Sequence, residues 1–161
     1  FKSYPRNQKK YLGLLIYMKI IKGFRHTGII CEDIQESLIF YRDKLGFEVI
    51  QDFWDSSPYI NEITGIDNAN VHMIKLKAAD GTVLELLDYE THPTSKIKQK
   101  IYNVGACHLA LQVYNIEEAY TNLINKGVKF ISKPVLSSEG IAKVCFCFDP
   151  NDIRIELVEM I

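Results

Sequence analysis

The sequence predicts an α+β fold built from two similar βαβββ halves, and three observations carry that reading. The same order of elements occurs twice. Each copy has a histidine seven residues before a helix-capping residue, and each ends on a strand with one glutamate among hydrophobes. A chain of 161 residues with 47% hydrophobic content is about the size of one domain and has enough apolar side chain to fill its core.

The first copy opens with Gly23-Phe-Arg-His-Thr-Gly-Ile-Ile-Cys31, whose β-branched and apolar residues read as a strand. Asp33 followed by Glu36 fits a capping box. Ile34, Leu38, Tyr41 and Leu45 then recur at helical spacing, and Gly46 is placed as a C-terminal stop, so a helix is expected from about Ile34 to Leu45. Phe47 to Phe53 reads as the next strand. Val71 to Lys77 and Thr82 to Tyr89 form a hairpin around an Ala-Ala-Asp-Gly turn.

The second copy repeats this order. Gly105-Ala-Cys-His-Leu-Ala-Leu-Gln-Val113 reads as a strand, and Asn115 with Glu118 forms a second capping box. Ile116, Ala119, Tyr120, Leu123 and Ile124 make the apolar stripe of the helix, which Gly127 ends. A strand is expected at Val128 to Ile131, followed by a hairpin of Lys143 to Phe148 and Ile153 to Met160 around Asp-Pro-Asn-Asp. Aromatic residues on both helices fit the core stripe.

These elements divide the chain into a first module (20–90), a polar, Lys-rich linker (91–103) and a second module (104–161). Residues 1–19 form a basic N-terminal arm or extension, since seven Lys and Arg residues precede the first acid, Glu32. The stretch from Asp55 to Asn70 is expected to be a long loop, suited to a lid or a substrate-contacting segment.

A formal net charge of -1 gives no general attraction to phosphate backbones or anionic lipid, so nucleic acid is not expected as a partner. The apolar run from Tyr11 to Ile21 is interrupted by Lys19 and falls short of the roughly 20 residues a spanning helix needs. Neither a membrane anchor nor a signal peptide is read. Cys31, Cys107, Cys145 and Cys147 show no Cys-x-x-Cys spacing and lie in or beside apolar strands, which predicts free, buried thiols and a reducing, cytoplasmic setting.

Strand alternation places Ala106, His108, Ala110 and Gln112 on one face and the bulkier Cys107, Leu109, Leu111 and Val113 on the other. The bulky face packs against a helix, and His108 is left on the opposite face beside small alanines. His26 lies between Phe24 and Gly28 in a comparable setting. Glu85 in Val-Leu-Glu-Leu-Leu and Glu156 in Arg-Ile-Glu-Leu-Val are out of character in apolar strands, because a buried carboxylate must be paired or metal-bound. A lone strand histidine or glutamate is more often structural, but the same pair recurs in both copies. His26, Glu85, His108 and Glu156 are therefore the candidate ligands of one divalent ion, a nitrogen and oxygen donor set suited to Ni²⁺, Zn²⁺, Co²⁺, Mn²⁺ or Fe²⁺. His72, without a counterpart in the second copy, and His92, in the linker, are read as non-ligands.

These residues resemble the vicinal oxygen chelate superfamily, which includes glyoxalase I, methylmalonyl-CoA epimerase, extradiol dioxygenases, fosfomycin-resistance enzymes and bleomycin-binding proteins. The likeness runs from about Ile20 to Ile161. It is carried by His26-Thr-Gly-Ile, by Ser37-Leu-Ile-Phe-Tyr-Arg-Asp-Lys-Leu-Gly-Phe47, by Asp80-Gly-Thr-Val-Leu-Glu-Leu-Leu87 and by Asp149-Pro-Asn-Asp-Ile-Arg-Ile-Glu-Leu-Val158. The resemblance implies two βαβββ modules whose curved mixed sheets surround one metal site.

The His-Glu-His-Glu set looks like the bacterial type of glyoxalase I (lactoylglutathione lyase). That likeness implies a lyase or isomerase acting on a small substrate with adjacent oxygens through a metal-stabilised enediolate, with Glu156 as first candidate for the base and Glu85 as second. Glyoxalase I usually carries, after its first ligand, a basic residue that holds the glutathione carboxylate; His26-Thr-Gly-Ile-Ile30 has none there. A methylmalonyl-CoA epimerase shares the enolate logic and is the nearest alternative, although its second-half loop motif is not recognisable here. An extradiol dioxygenase needs two His and one carboxylate, and a bleomycin-type drug-binding protein lacks the ligand set. The resemblance also implies a homodimer, and leaves open whether the two modules meet within one chain or are exchanged between chains.

Overall fold

The computed structural model describes residues 20–161; the basic arm expected over 1–19 lies outside the described residues. The chain runs β1 (Thr27–Ile30), α1 (Ile34–Leu38), a π-helical continuation (Ile39–Lys44), β2 (Glu48–Asp55), α2 (Pro58–Thr64), β3 (Val71–Lys77) and β4 (Val83–Tyr89). It continues with β5 (His108–Gln112), α3 (Ile116–Asn125), β6 (Val135–Leu136), β7 (Ala142–Phe148) and β8 (Arg154–Met160). Two four-stranded mixed sheets result, ordered β1-β4-β3-β2 and β5-β8-β7-β6. In each, the first strand pairs parallel with the last while the remaining pairs are antiparallel. No helix among the described residues is long and apolar enough to cross a membrane.

Both helix starts follow from their caps. The Asp33 carboxylate accepts from the backbone N–H of Gln35 at 2.8 Å and Glu36 at 3.0 Å, and Asn115 accepts from that of Glu118 at 3.0 Å. Each cap satisfies donors that the first turn would otherwise orphan, worth roughly 1 kcal/mol. The helix expected to Leu45 changes character at Ile39, where Leu45 N–H reaches the Phe40 carbonyl at 3.1 Å across a wider turn. That widening accompanies burial of the adjacent Phe40 and Tyr41 together.

One core joins the two sheets. Ile29, Leu84 and Leu86 from the first, Ile155 and Leu157 from the second, and Ile34, Leu38, Ile116 and Leu123 from the helices belong to a single buried cluster. A polar seam crosses it. Tyr41 Oη donates to Asp149 Oδ2 at 3.0 Å, and Asp149 Oδ1 accepts from the backbone of Asn151 and Ile153, each at 2.8 Å. Asn151 in turn donates from Nδ2 to Ser37 Oγ at 2.9 Å and accepts from Glu32 N–H at 3.0 Å. The Asp-Pro-Asn-Asp turn thus ties β7 and β8 to the first helix. Burial pushes the Asp149 carboxyl above its usual range, while hydrogen bonds from Ile153, Asn151 and Tyr41 draw it back.

Three expectations are corrected. The strand expected at Val128 to Ile131 is reduced to one bridge, Phe130 to Cys147, and pairing resumes only at β6, because Pro134 between them has no N–H to give a ladder. The Asp55 to Asn70 stretch contains α2, whose Pro58 opens the helix and whose Gly65, at φ 69°, ends it in the left-handed region. Ile60 packs this helix with Val71 and Met73 of β3, so the segment is anchored to the first sheet. The four cysteines are free, but Cys107, just before β5, is exposed where a buried thiol was expected.

Replacing Tyr41 by Phe removes a buried donor to a buried carboxylate and is expected to cost roughly 1–3 kcal/mol in urea denaturation. The sign of its pH dependence follows from Asp149. Its raised folded value favours the native state below the unfolded value, and that contribution is lost as pH rises through the folded one. Because the Tyr41 bond supports the charged form, the deficit of Tyr41→Phe should be larger near pH 7 than near about pH 4.

Candidate functional site

The two halves place their histidine and glutamate by the same register. In the first sheet Gly28 lies opposite Glu85, and in the second Ala110 lies opposite Glu156. His26, immediately before β1, and His108, the first residue of β5, each precede that small residue by two positions, and a small residue leaves room between ring and carboxylate. Gly28 is held small by its neighbours, since a Cβ there would stand 3.2 Å from Leu87 Cδ1. Alternation along β4 and β8 sets the other faces: Leu84 and Leu86, like Ile155 and Leu157, enter the core, and the glutamates between them point the opposite way.

His26 Nε2 stands 3.1 Å from Glu85 Oε2, and His108 Nε2 stands 3.0 Å from Glu156 Oε2. The first pair is the more enclosed, with the Glu85 side chain 11% exposed against 21% for Glu156. His26 Nδ1 is buried and has no hydrogen-bond partner among the described residues. Lys75 Nζ lies 3.5 Å from Glu85 Oε1, whereas in the second half the ring of Phe146 meets His108 edge-on at 5.5 Å between centroids. Sequence reading missed Lys75. Its only linear signal is a charge within the apolar run of β3, and its approach to Glu85 comes from strand pairing.

The structure brings the four candidates together as two pairs and does not bring one pair to the other. Among the described residues, no three His, Cys, Asp or Glu side chains are arranged to hold one ion. Both pairs lie on sheet faces turned away from the shared core. His72 takes no part: its Nε2 meets Asp52 Oδ1 at 2.6 Å and its ring stacks on Trp54 at 4.4 Å, away from the Glu85 face. His92 meets Thr91 Oγ1 at 3.0 Å in an exposed turn. A cleft of about 510 Å³ between the β1 edge, residues 94–99 and the β7–β8 turn includes none of the four.

The donor set of each pair fits a divalent cation. An octahedral ion with bonds of roughly 2.1 Å sets neighbouring donors about 3.0 Å apart, which is the spacing found in both pairs. Imidazole nitrogen with carboxylate oxygen suits Zn²⁺, Ni²⁺, Co²⁺, Mn²⁺ or Fe²⁺. The same spacing serves a His–Glu hydrogen bond, so one pair alone is half a site.

A model of the Glyoxalase/Bleomycin resistance protein/Dioxygenase superfamily matches residues 23–157. The uncharacterised protein YwkD of Bacillus subtilis is 28% identical over 141 residues, which span 87% of this chain and 98% of that protein. A probable lactoylglutathione lyase of Synechocystis is 28% identical over 135 residues, spanning 83% of this chain and 92% of its own length. A glyoxalase family protein from Bacillus cereus, known from its crystal structure, shares the fold with a TM-score of 0.82 at 18% identity, covering 91% of this chain and 99% of the other. With residues 23–157 matched, the chain belongs to the Glyoxalase/Bleomycin resistance protein/Dioxygenase superfamily.

Proposed function

We propose that the protein is a divalent-metal-dependent lyase or isomerase of the glyoxalase I type, acting on a small substrate with adjacent oxygens. The observation that carries this reading is the repeated register, which gives both halves a His–Glu pair at 3.0–3.1 Å. Similarity to a probable lactoylglutathione lyase agrees with it. A four-ligand centre needs both pairs, and the shared core turns them apart within one chain. A second copy completes it in this reading, its His108 and Glu156 meeting His26 and Glu85 of the first. The histidine-bearing sides favour this, because β1 and β5 are the edge strands of their sheets.

His26, Glu85, His108 and Glu156 would hold the ion, which supplies Lewis acidity toward neighbouring substrate oxygens. The chain itself supplies the proton transfer. Glu156 is the better placed carboxylate for it: it is more exposed than Glu85 and has Phe146, not a cation, as its cross-strand neighbour. It takes the proton from one substrate carbon and returns it to the next. Glu85, paired with His26, is the more enclosed carboxylate and serves as a ligand.

Loss of one ligand should weaken metal binding at least ten-fold, as much as loss of an outer partner commonly does. His108→Ala should therefore retain far less metal after purification than His72→Ala, measured by elemental analysis, and equal contents would refute the assignment. Glu156→Gln should keep some metal but turn over a hemithioacetal roughly 10²-fold more slowly, with matching loss of solvent-deuterium exchange at the substrate carbon. Exchange at the wild-type rate would remove Glu156 from the role of base.

A further inference from the structure

The two halves match at histidine, glutamate and the small residue between them, and differ at the next position across the sheet. In the first sheet the row reads Gly28, Glu85, Lys75, Gln51, each residue opposite the next. In the second it reads Ala110, Glu156, Phe146. A cation on one side thus stands where an aromatic ring stands on the other. Lys75 is held in place rather than free in solvent. Its side chain is 21% exposed, and its ammonium lies 3.5 Å from Glu85 Oε1 and 5.5 Å from the centre of the Phe53 ring.

We infer that Lys75 is a specificity residue that pairs with a carboxylate on the substrate, so that the protein acts on small monoanionic acids. This rests on the metal-centre reading above. Two neutral imidazoles, two carboxylates and a divalent ion sum to zero charge. Lys75 then adds one positive charge in a half-buried place, beside a glutamate whose charge the ion already satisfies. An ammonium so placed is costly without an anion, and one substrate carboxylate supplies it. A neutral substrate leaves the site with a net charge of +1. Phe146 offers no second cation at the equivalent position, so a single carboxylate, not two, matches the site.

Two metal-chelating probes that differ by one carboxylate isolate this claim, acetohydroxamic acid and malonic acid monohydroxamate; the hydroxamate proton of each passes to Glu156, so the carboxylate is the one charge by which they differ. Each is titrated by calorimetry into full-length protein loaded with Zn²⁺, whose content is measured separately. Wild type should bind the carboxylate-bearing probe about ten-fold more tightly, the usual scale of a charge-assisted hydrogen bond. Lys75→Met, or Lys75→Gln if Met impairs folding, should bring the ratio of the two affinities, measured within each Zn²⁺-loaded variant, to about one, and Lys75→Arg should restore it. A preference absent in wild type, or unchanged without the lysine, overturns the assignment while the metal reading stands. Failure of Zn²⁺-loaded wild type to bind either probe, or failure to load Zn²⁺, overturns both.

Discussion

Leu84 and Leu86 of β4 and Ile155 and Leu157 of β8 are buried in one core that both sheets share, and strand alternation then turns Glu85 and Glu156 away from it. The rest of the molecule follows from that constraint. The parallel pairing of β1 with β4 and of β5 with β8 carries each histidine to the same face as its glutamate. Tyr41 and Ser37 on the first helix hold Asp149 and Asn151 of the β7–β8 turn, which ties the two halves together. A chain whose halves share their core in this way leaves its two His–Glu pairs on faces turned away from that core.

The half-sites are alike in their donors and unlike in their surroundings. Glu85 is the more enclosed and has a lysine beside it; Glu156 is the more open and has an aromatic neighbour. Equivalent carboxylates therefore meet different neighbours, a cation in one half and an aromatic ring in the other. Joining unlike halves from two copies would also give every completed centre one cationic wall and one apolar wall.

Much of this was legible in the sequence because it is local. The capping residues Asp33 and Asn115, the glycine stops and the alternation around His108 are read over a few residues, and the structure follows them. The helix α2 was missed, because Ser57-Pro58 and Gly65 bracket only seven residues and the stretch was read as a loop. Non-local features were not legible. That Lys75 lies opposite Glu85 depends on hairpin register, and the separation of the two His–Glu pairs depends on which faces the halves bury together. Neither the spacing of the four candidate residues along a chain nor the repeat itself says whether the halves close on each other or on a second copy.

Subunit complementation tests that last point directly. His26→Ala and His108→Ala each remove one ligand from every centre, whichever way the halves combine. If centres form between copies, a mixed dimer of the two variants contains one doubly damaged centre and one intact centre. Random mixing after co-refolding equal amounts should then restore tight metal binding at about a quarter of the wild-type sites, since half of the dimers are mixed and each has one good site. Metal content that stays at the level of the separate variants, with mixed dimers verified by mass spectrometry, would contradict a centre shared between two copies.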